Sequence, residues 1–310
     1  MSEPRTAPEA REDSPPHPPV GAGETGGAPP PAAVAPVVTA ARILPWLRIR
    51  EEVPAWMSWA LGVVPIAAVI ALWWLVTAGS TPEARMISPT ILPSPWEVVG
   101  SFRSLWFERA LTRNLFVSFG RVLAGFAVGV AIAFPLGLAM GAFTKVKVMF
   151  NPLAVFAAYL PIPALVPLTL SLFGTGEGQK VAFLAMAFSI YLLPLVVEAV
   201  DAVDDVYLKT AYTLGASKLQ VVRKVLLAVS WPGIYQALRM GFGVGWSYII
   251  LAEMVDIGHR LGGIIIISQR RGPREHIYLV LLVIVAVAFL TDRLWVAVGR
   301  KLFPYRAEHA

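Results

Sequence analysis

The sequence contains no cysteine. Disulfides, thiolate nucleophiles and cysteine-ligated metals are therefore excluded outright. Histidine is scarce: His17, His259, His276 and His309 are too scattered to suggest a local metal motif, and each reads as a solvated loop residue. Charge is thin as well. Only 15% of the 310 residues are Asp, Glu, Lys or Arg, against about a quarter in ordinary soluble domains. The cations behind the formal charge of +6 are dispersed between apolar runs, and the absence of one basic stripe disfavours a nucleic-acid partner. A P-loop is also missing. "GTGEGQK", Gly174 to Lys180, lacks the Gly-Lys-Ser/Thr ending and a preceding buried strand, so it reads as an outer turn. Any ATP must then be hydrolysed by another chain.

What is present is hydrophobic. Apolar residues make up 56% of the chain, ten are tryptophan, and the mean hydropathy is +0.65 with a pI near 9.7. Lipid is the expected solvent for most of it, with Trp at the headgroup level and Lys/Arg excess on the cytoplasmic side. Residues 1–42 are rich in Pro and Gly and poor in large apolar side chains, which predicts a disordered cytoplasmic tail. A secretory signal fits less well, because "AAVAPVV" is interrupted by proline. Residues 43–112 carry an interfacial segment of alternating Trp and Arg, a first span and an outer loop, and residues 304–310 form a C-terminal cytoplasmic tail.

At about 20 apolar residues per crossing, six spans are expected. The first is "WALGVVPIAAVIALWWLVTAG". The second, "VLAGFAVGVAIAFPLGLAMGAF", has Gly125/Gly129 and Gly137/Gly141 at a spacing that lets helices approach closely, with Pro135 as a kink. The third, "MFNPLAVFAAYLPIPALVPLTLSLFG", holds four prolines, Pro161 and Pro163 among them, and is expected to be broken where it faces protein or a water-lined cavity. The fourth is "VAFLAMAFSIYLLPLVV", the fifth runs from Gly233 through "YQALRMGFGVGWSYIILAEMV", and the sixth is "IYLVLLVIVAVAFLTDRLWVAV". An even number places both termini on one side, and the positive-inside tendency makes that side cytoplasmic. Two ionisable residues, Arg239 and Glu253, fall within or at the ends of the fifth span. They either face the bundle interior or a water-filled path, or snorkel to opposite interfaces. Gly241, Gly243 and Gly245 between them offer a smooth packing surface for a neighbouring helix or a dimer partner.

Between the fourth and fifth spans lies a polar island, "VYLKTAYTLGASKLQVVRKVLLAVSWP", with four cations and a glycine break. Leu208, Ala211, Tyr212 and Gly215 share one helical face, and Leu219, Val222 and Leu226 continue a second. Gly215 reads as a helix stop and Ser217 as a cap for the next helix. By pattern alone this is either a helix lying on the membrane surface or a docking element.

The island resembles the cytoplasmic EAA loop of binding-protein-dependent ABC transporter permeases. Gly215, Ala216, Ser217 and Pro232 match, while Lys209 stands where that family commonly has Glu, Thr210 where it has Ala, and Ala228 where a proline often precedes the final one. "ISPTILPSPWEVV", "SFGRVLAGFAVGVAIAFPLGLAMG", "PIPALVPLTLSLFGTGEGQKV" and "ALRMGFGVGWSYIILAEM" are similar to the nitrate, sulfonate, taurine and bicarbonate branch. The resemblance implies an all-α type I importer permease core over residues 113–303, with a coupling loop at 201–232. It implies that Lys209, Thr210, Ala211, Tyr212, Leu214, Gly215, Ala216, Ser217 and Pro232 meet a separate ATPase subunit. Pro161, Pro163, Arg239, Gly241, Gly245 and Glu253 then serve the translocation path or helix packing. Implied partners are ABC ATPase subunits, an extracytoplasmic substrate-binding protein, a second permease copy or homologue, and the bilayer of a bacterial inner membrane. The chain itself would bind no cofactor or metal and perform no covalent chemistry. The alternative is a secondary transporter driven by an ion gradient, which would show mid-membrane acids and inverted repeats.

Overall fold

The computed structural model describes residues 53–79, 81, 83–255 and 260–305. The expectations for the tail 1–42, for residues 43–52 and 306–310, and for His17, His259 and His309 lie outside the described residues. The chain divides into two units at Ser58. Of the first, residues 53–58 are described, and they open helix α1 (Ala55–Val76). All that follows concerns the second unit.

Every described element is helical. After α1, the short helices α2 (Pro95–Gly100) and α3 (Phe102–Phe107) lead into α4 (Leu111–Ala142). Next come α5 (Thr144–Ala158), a 3-10 turn at Ile162–Ala164 and α6 (Leu165–Phe173). Helix α7 (Glu177–Asp201) is followed by α8 (Asp205–Thr213), the single turn α9 (Lys218–Gln220) and a π-helical stretch, Val221–Leu226, that runs into α10 (Leu227–Met254). Helices α11 (Leu261–Arg271) and α12 (Glu275–Leu302) complete the fold.

Helices α1, α4, α7 and α12 are each long and apolar enough to cross a bilayer, and α5 with the Ile162–Phe173 segment supplies a further span bent by 88°. That bend is the break expected of the third span. Pro161 sits in the break with extended backbone and Pro163 in the 3-10 turn that follows, and neither can donate a backbone hydrogen bond. Helix α10, read as the fifth span, is 28 residues long, but Gln236, Arg239, Ser247 and Glu253 dilute its apolarity. Its burial explains the difference: a helix walled in by protein on much of its circumference needs less of the greasy surface that lipid demands.

The core is the seam between α4 and α7. Gly125, Gly129, Ala133, Gly137 and Gly141 recur every four residues, so they line one face of α4. A Cβ added at Gly125 would sit 2.5 Å from Leu184 Cβ, one at Gly129 would sit 2.6 Å from Phe188 Cβ, and one at Gly141 would sit 2.6 Å from Val200 Cβ. Missing Cβ atoms thus allow backbone-close packing, where dispersion contacts substitute for the hydrophobic drive that lipid does not supply. Helix α10 closes on the other flank of α7. Gly241 lies against Leu192 and Gly245 against Phe188, whereas Gly243 faces open space. The three glycines therefore do not form one packing surface, since helical periodicity turns Gly243 about 200° away from Gly241.

Outside the bundle, α2 begins with a capping box in which Ser94 and Glu97 satisfy each other's backbone N–H groups. Arg85 binds Glu97 through two hydrogen bonds of 2.9 and 3.2 Å, which holds the Glu97 carboxyl below its ordinary range. This contribution to stability is present above the ordinary Glu pKa and is lost as pH falls through the lowered one. Trp73 Nε1 donates to the Pro93 carbonyl and Tyr278 Oη to that of Ile91, tying the loop before α2 to α1 and α12.

Candidate functional site

Two sites stand at opposite ends of α7. At its C-terminal end, Asp204 caps α8 by accepting from the Val206 N–H. Leu208 packs under the cluster of Val196, Val200, Leu226 and Ile234, and Ala211 is buried beside it. The helix then stops at Gly215, where φ is +79°. Ala216 N–H donates to the Ala211 carbonyl and Gly215 N–H to that of Tyr212, the paired bonds of a Schellman ending. Ser217 restarts the chain in a capping box with Gln220. The glycine stop and the serine cap expected from the sequence are both present.

This double turn pushes apolar groups outward. Leu214, next to the glycine, is 83% exposed, and Tyr207, Tyr212 and Leu219 are exposed too. Lys209 lies in solvent with Asp205 3.8 Å away, and Thr210 Oγ1 bonds the Val206 carbonyl. Of the nine residues grouped from the sequence, Lys209, Thr210, Tyr212, Leu214, Gly215, Ala216 and Ser217 share this projecting turn. Ala211 faces inward as its anchor. Pro232 is buried within α10, apart from the turn. The second apolar face expected over Leu219, Val222 and Leu226 is split, with Leu219 exposed and Leu226 buried. The π winding of Val221–Leu226 changes the residues per turn and rotates one out of line with the other.

At the other end of α7, charge is buried. Glu253 of α10 is fully buried and Arg121 of α4 is 7% exposed, with Arg121 Nη1 donating to Glu253 Oε1 at 2.7 Å. The same oxygen accepts from Ser118 Oγ at 2.6 Å, and Oε2 accepts from the Gly262 N–H at 3.1 Å. Arg121 also grips Glu177 of α7 through Nε at 2.5 Å and Nη2 at 2.9 Å. Lys180 and Arg260 reach Glu177 as well, at 3.4 and 3.2 Å. One ionic network therefore joins α4, α7, α10 and the start of α11. A buried carboxylate accepting three hydrogen bonds is the arrangement that makes burial of its charge tolerable.

Arg239 belongs to neither end. It stands 12 residues along α10 from Leu227, and its Nε and Nη2 donate to the two oxygens of Asp292 on α12 at 2.6 and 2.8 Å. Arg239 and Glu253 therefore do not snorkel to opposite interfaces. Each meets a partner on another helix, because α4 and α12 present Arg121 and Asp292 at the matching heights. Asp292 was not singled out from the sequence, although it is an acid inside an apolar run. Arg121 and Glu177, by contrast, flank spans and gave no such signal.

The outer turn is Gly174–Gly176 only, since Glu177 to Lys180 already form the first turn of α7. His276 is not a solvated loop residue: it is buried in the first turn of α12, 2.9 Å from Ser104 Oγ of α3, beside a cleft of about 420 Å³ that Pro89, Glu97 and Glu275 also line. No group of three or more His, Asp or Glu side chains that could hold a metal ion occurs among the described residues.

Comparison with known proteins places this geometry. The chain is 28% identical over 268 residues to the taurine transport system permease protein TauC of Escherichia coli K12, covering 84% of this chain and 95% of that protein. It is 22% identical over 261 residues to the nitrate import permease protein NrtB of Leptolyngbya laminosa, covering 83% and 89% respectively. In fold it is similar to a chain of the inward-facing MetNI methionine ABC transporter, with a TM-score of 0.58 at 19% identity over 65% of this chain and 98% of that one. The family model for the binding-protein-dependent transport system inner membrane component matches residues 115–304. That stretch runs from the first turns of α4 through the buried network, the projecting turn and α12, and with it the chain belongs to the binding-protein-dependent transport inner membrane component family.

Proposed function

We propose that this chain is the translocating subunit of an ATP-driven importer for a small anion of the nitrate, sulfonate, taurine or bicarbonate type, coupled to a separate ATPase through the α8 turn. The observation that carries the coupling is the exposure of Leu214, Tyr207 and Tyr212 around a glycine-terminated helix whose opposite face is anchored in the bundle. An apolar, rigidly mounted knob outside the spans is a dock for another protein. Family membership and the taurine and nitrate relatives support the cargo class. An extracytoplasmic binding protein delivers the anion, and a second permease copy or homologue completes the path. Both termini lie in the cytoplasm, with the α8 turn. Nucleotide then shifts the inward/outward equilibrium through contacts on this turn that differ between the two states.

The test is reconstitution. Permease in proteoliposomes should accumulate neither taurine nor nitrate under an imposed proton or sodium gradient. Adding the ATPase, the loaded binding protein and ATP should give uphill uptake. Gradient-driven accumulation by the permease alone would identify a secondary transporter instead.

A further inference from the structure

The two ion pairs that tie α10 to a neighbouring helix differ in one respect that decides their roles. Arg121 and Glu253 are 7% and 0% exposed, sealed between helices. Arg239 and Asp292 are 28% and 40% exposed, although Arg239 lies 12 residues from one end of α10 and 15 from the other. At 1.5 Å per residue these are about 18 and 22 Å of helix. Asp292 is 10 residues from the end of α12, about 15 Å at the same rise. A charged pair open to hydrocarbon inside an apolar helical run is costly. The exposed side of the pair therefore faces water or polar protein.

Its neighbours agree. The exposed row of α10 is Gln236, Met240, Gly243 and Ser247, spaced by 4, 3 and 4 residues along one helical face. That row is polar, small or flexible, unlike the surface of α1, which buries no residue and exposes Val64, Val69, Ile70 and Leu72 among other apolar side chains that suit lipid. Gln236 Oε1 lies 3.5 Å from Arg239 Nη1, the outer limit of a hydrogen bond. Of the five N–H groups on the guanidinium, two are committed to Asp292, and among the described residues only Gln236 comes within reach of another, at the outer limit. The fork that binds Asp292 matches any planar or tetrahedral oxyanion presenting two oxygens.

We propose that Arg239 is the residue that receives the transported anion, with Asp292 as its exchangeable counter-ion: the arriving oxyanion takes the fork and Asp292 reclaims it when the anion leaves. The counter-ion keeps Arg239 charged and oriented in the empty path, and it competes with cargo so that the site releases what it binds. This rests on the anion-importer reading above and adds to it the group that recognises the anion.

Charge logic separates a binding residue from an interhelical brace. The whole reconstituted complex, driven by ATP, is assayed for uptake of taurine and of nitrate, with assembly checked by co-purification of the ATPase. Arg239→Gln should cut uptake by about tenfold or more, and Arg239→Lys, which keeps the charge but loses the fork, should fall between it and the unmodified chain. The double variant Arg239→Gln with Asp292→Asn leaves no lone charge, so it should assemble, yet uptake should stay as low as in Arg239→Gln. Asp292→Asn alone should lower the concentration of anion needed for half-maximal uptake. Recovery of uptake in the neutral double variant, or in the exchanged pair Arg239→Asp with Asp292→Arg, would show a structural brace and overturn the proposal. Failure of the unmodified complex to import either anion with ATP would instead overturn the anion-importer reading itself.

Discussion

Glu253 shows how far one residue's role depends on atoms that sequence does not bring together. Its carboxylate is fully buried and accepts from Arg121, Ser118 and the Gly262 backbone. Removing one partner of such a pair is costly because the other charge stays buried, whereas replacing the whole pair can be neutral. Glu253→Ala is therefore expected to destabilise the detergent-solubilised protein by about 3–5 kcal/mol. Arg121 would then keep only the more exposed Glu177. Thermal unfolding of the purified variant checks this, and an unchanged melting temperature would mean that the network does not brace the bundle. Glu253→Gln, which keeps the shape and some of the hydrogen bonds, should lie between.

Among the elements, α8 is the most informative, because its two faces have different tasks. Leu208 and Ala211 fix it to the bundle, and Leu214 projects where Gly215 turns the chain. A Cβ at Gly215 would meet open space, but φ is +79°, so any L side chain there is strained by about 1–2 kcal/mol of backbone energy. Gly215→Glu adds a bulky charge to that strain at the exposed dock. The variant should insert normally, lose ATPase co-purification and lose most uptake. Full uptake with undisturbed co-purification would remove α8 from the coupling role. Residues that face inward, such as Pro232, should affect folding more than ATPase binding.

The whole molecule poses the question of orientation. Even numbers of crossings put both termini on one side, and the cations of the α8 region favour the cytoplasm for that side. The absence of cysteine makes this directly measurable. Ser88→Cys should react with a membrane-impermeant thiol reagent in intact cells, and Ser217→Cys only after lysis. The opposite labelling would invert the topology and place the Arg121 network, not the α8 turn, in the cytoplasm.

Spacing and composition were enough to predict apolar membrane spans, the broken third span, the close-packing glycine pairs of α4 and the stop and restart at Gly215 and Ser217. Each of these is a local property: apolar length, proline chemistry, four-residue periodicity and backbone conformation act within a few turns of helix. Pairing was not legible, because Arg121 meets Glu253 across 132 positions and Arg239 meets Asp292 across 53. Sequence left Arg239 and Glu253 free to snorkel or to face inward. Only the packing of α10 between α4, α7 and α12 decided it, since helix contact sets the height at which each charge finds its counter-charge, and an unpaired charge at that depth would have cost more than either contact returns.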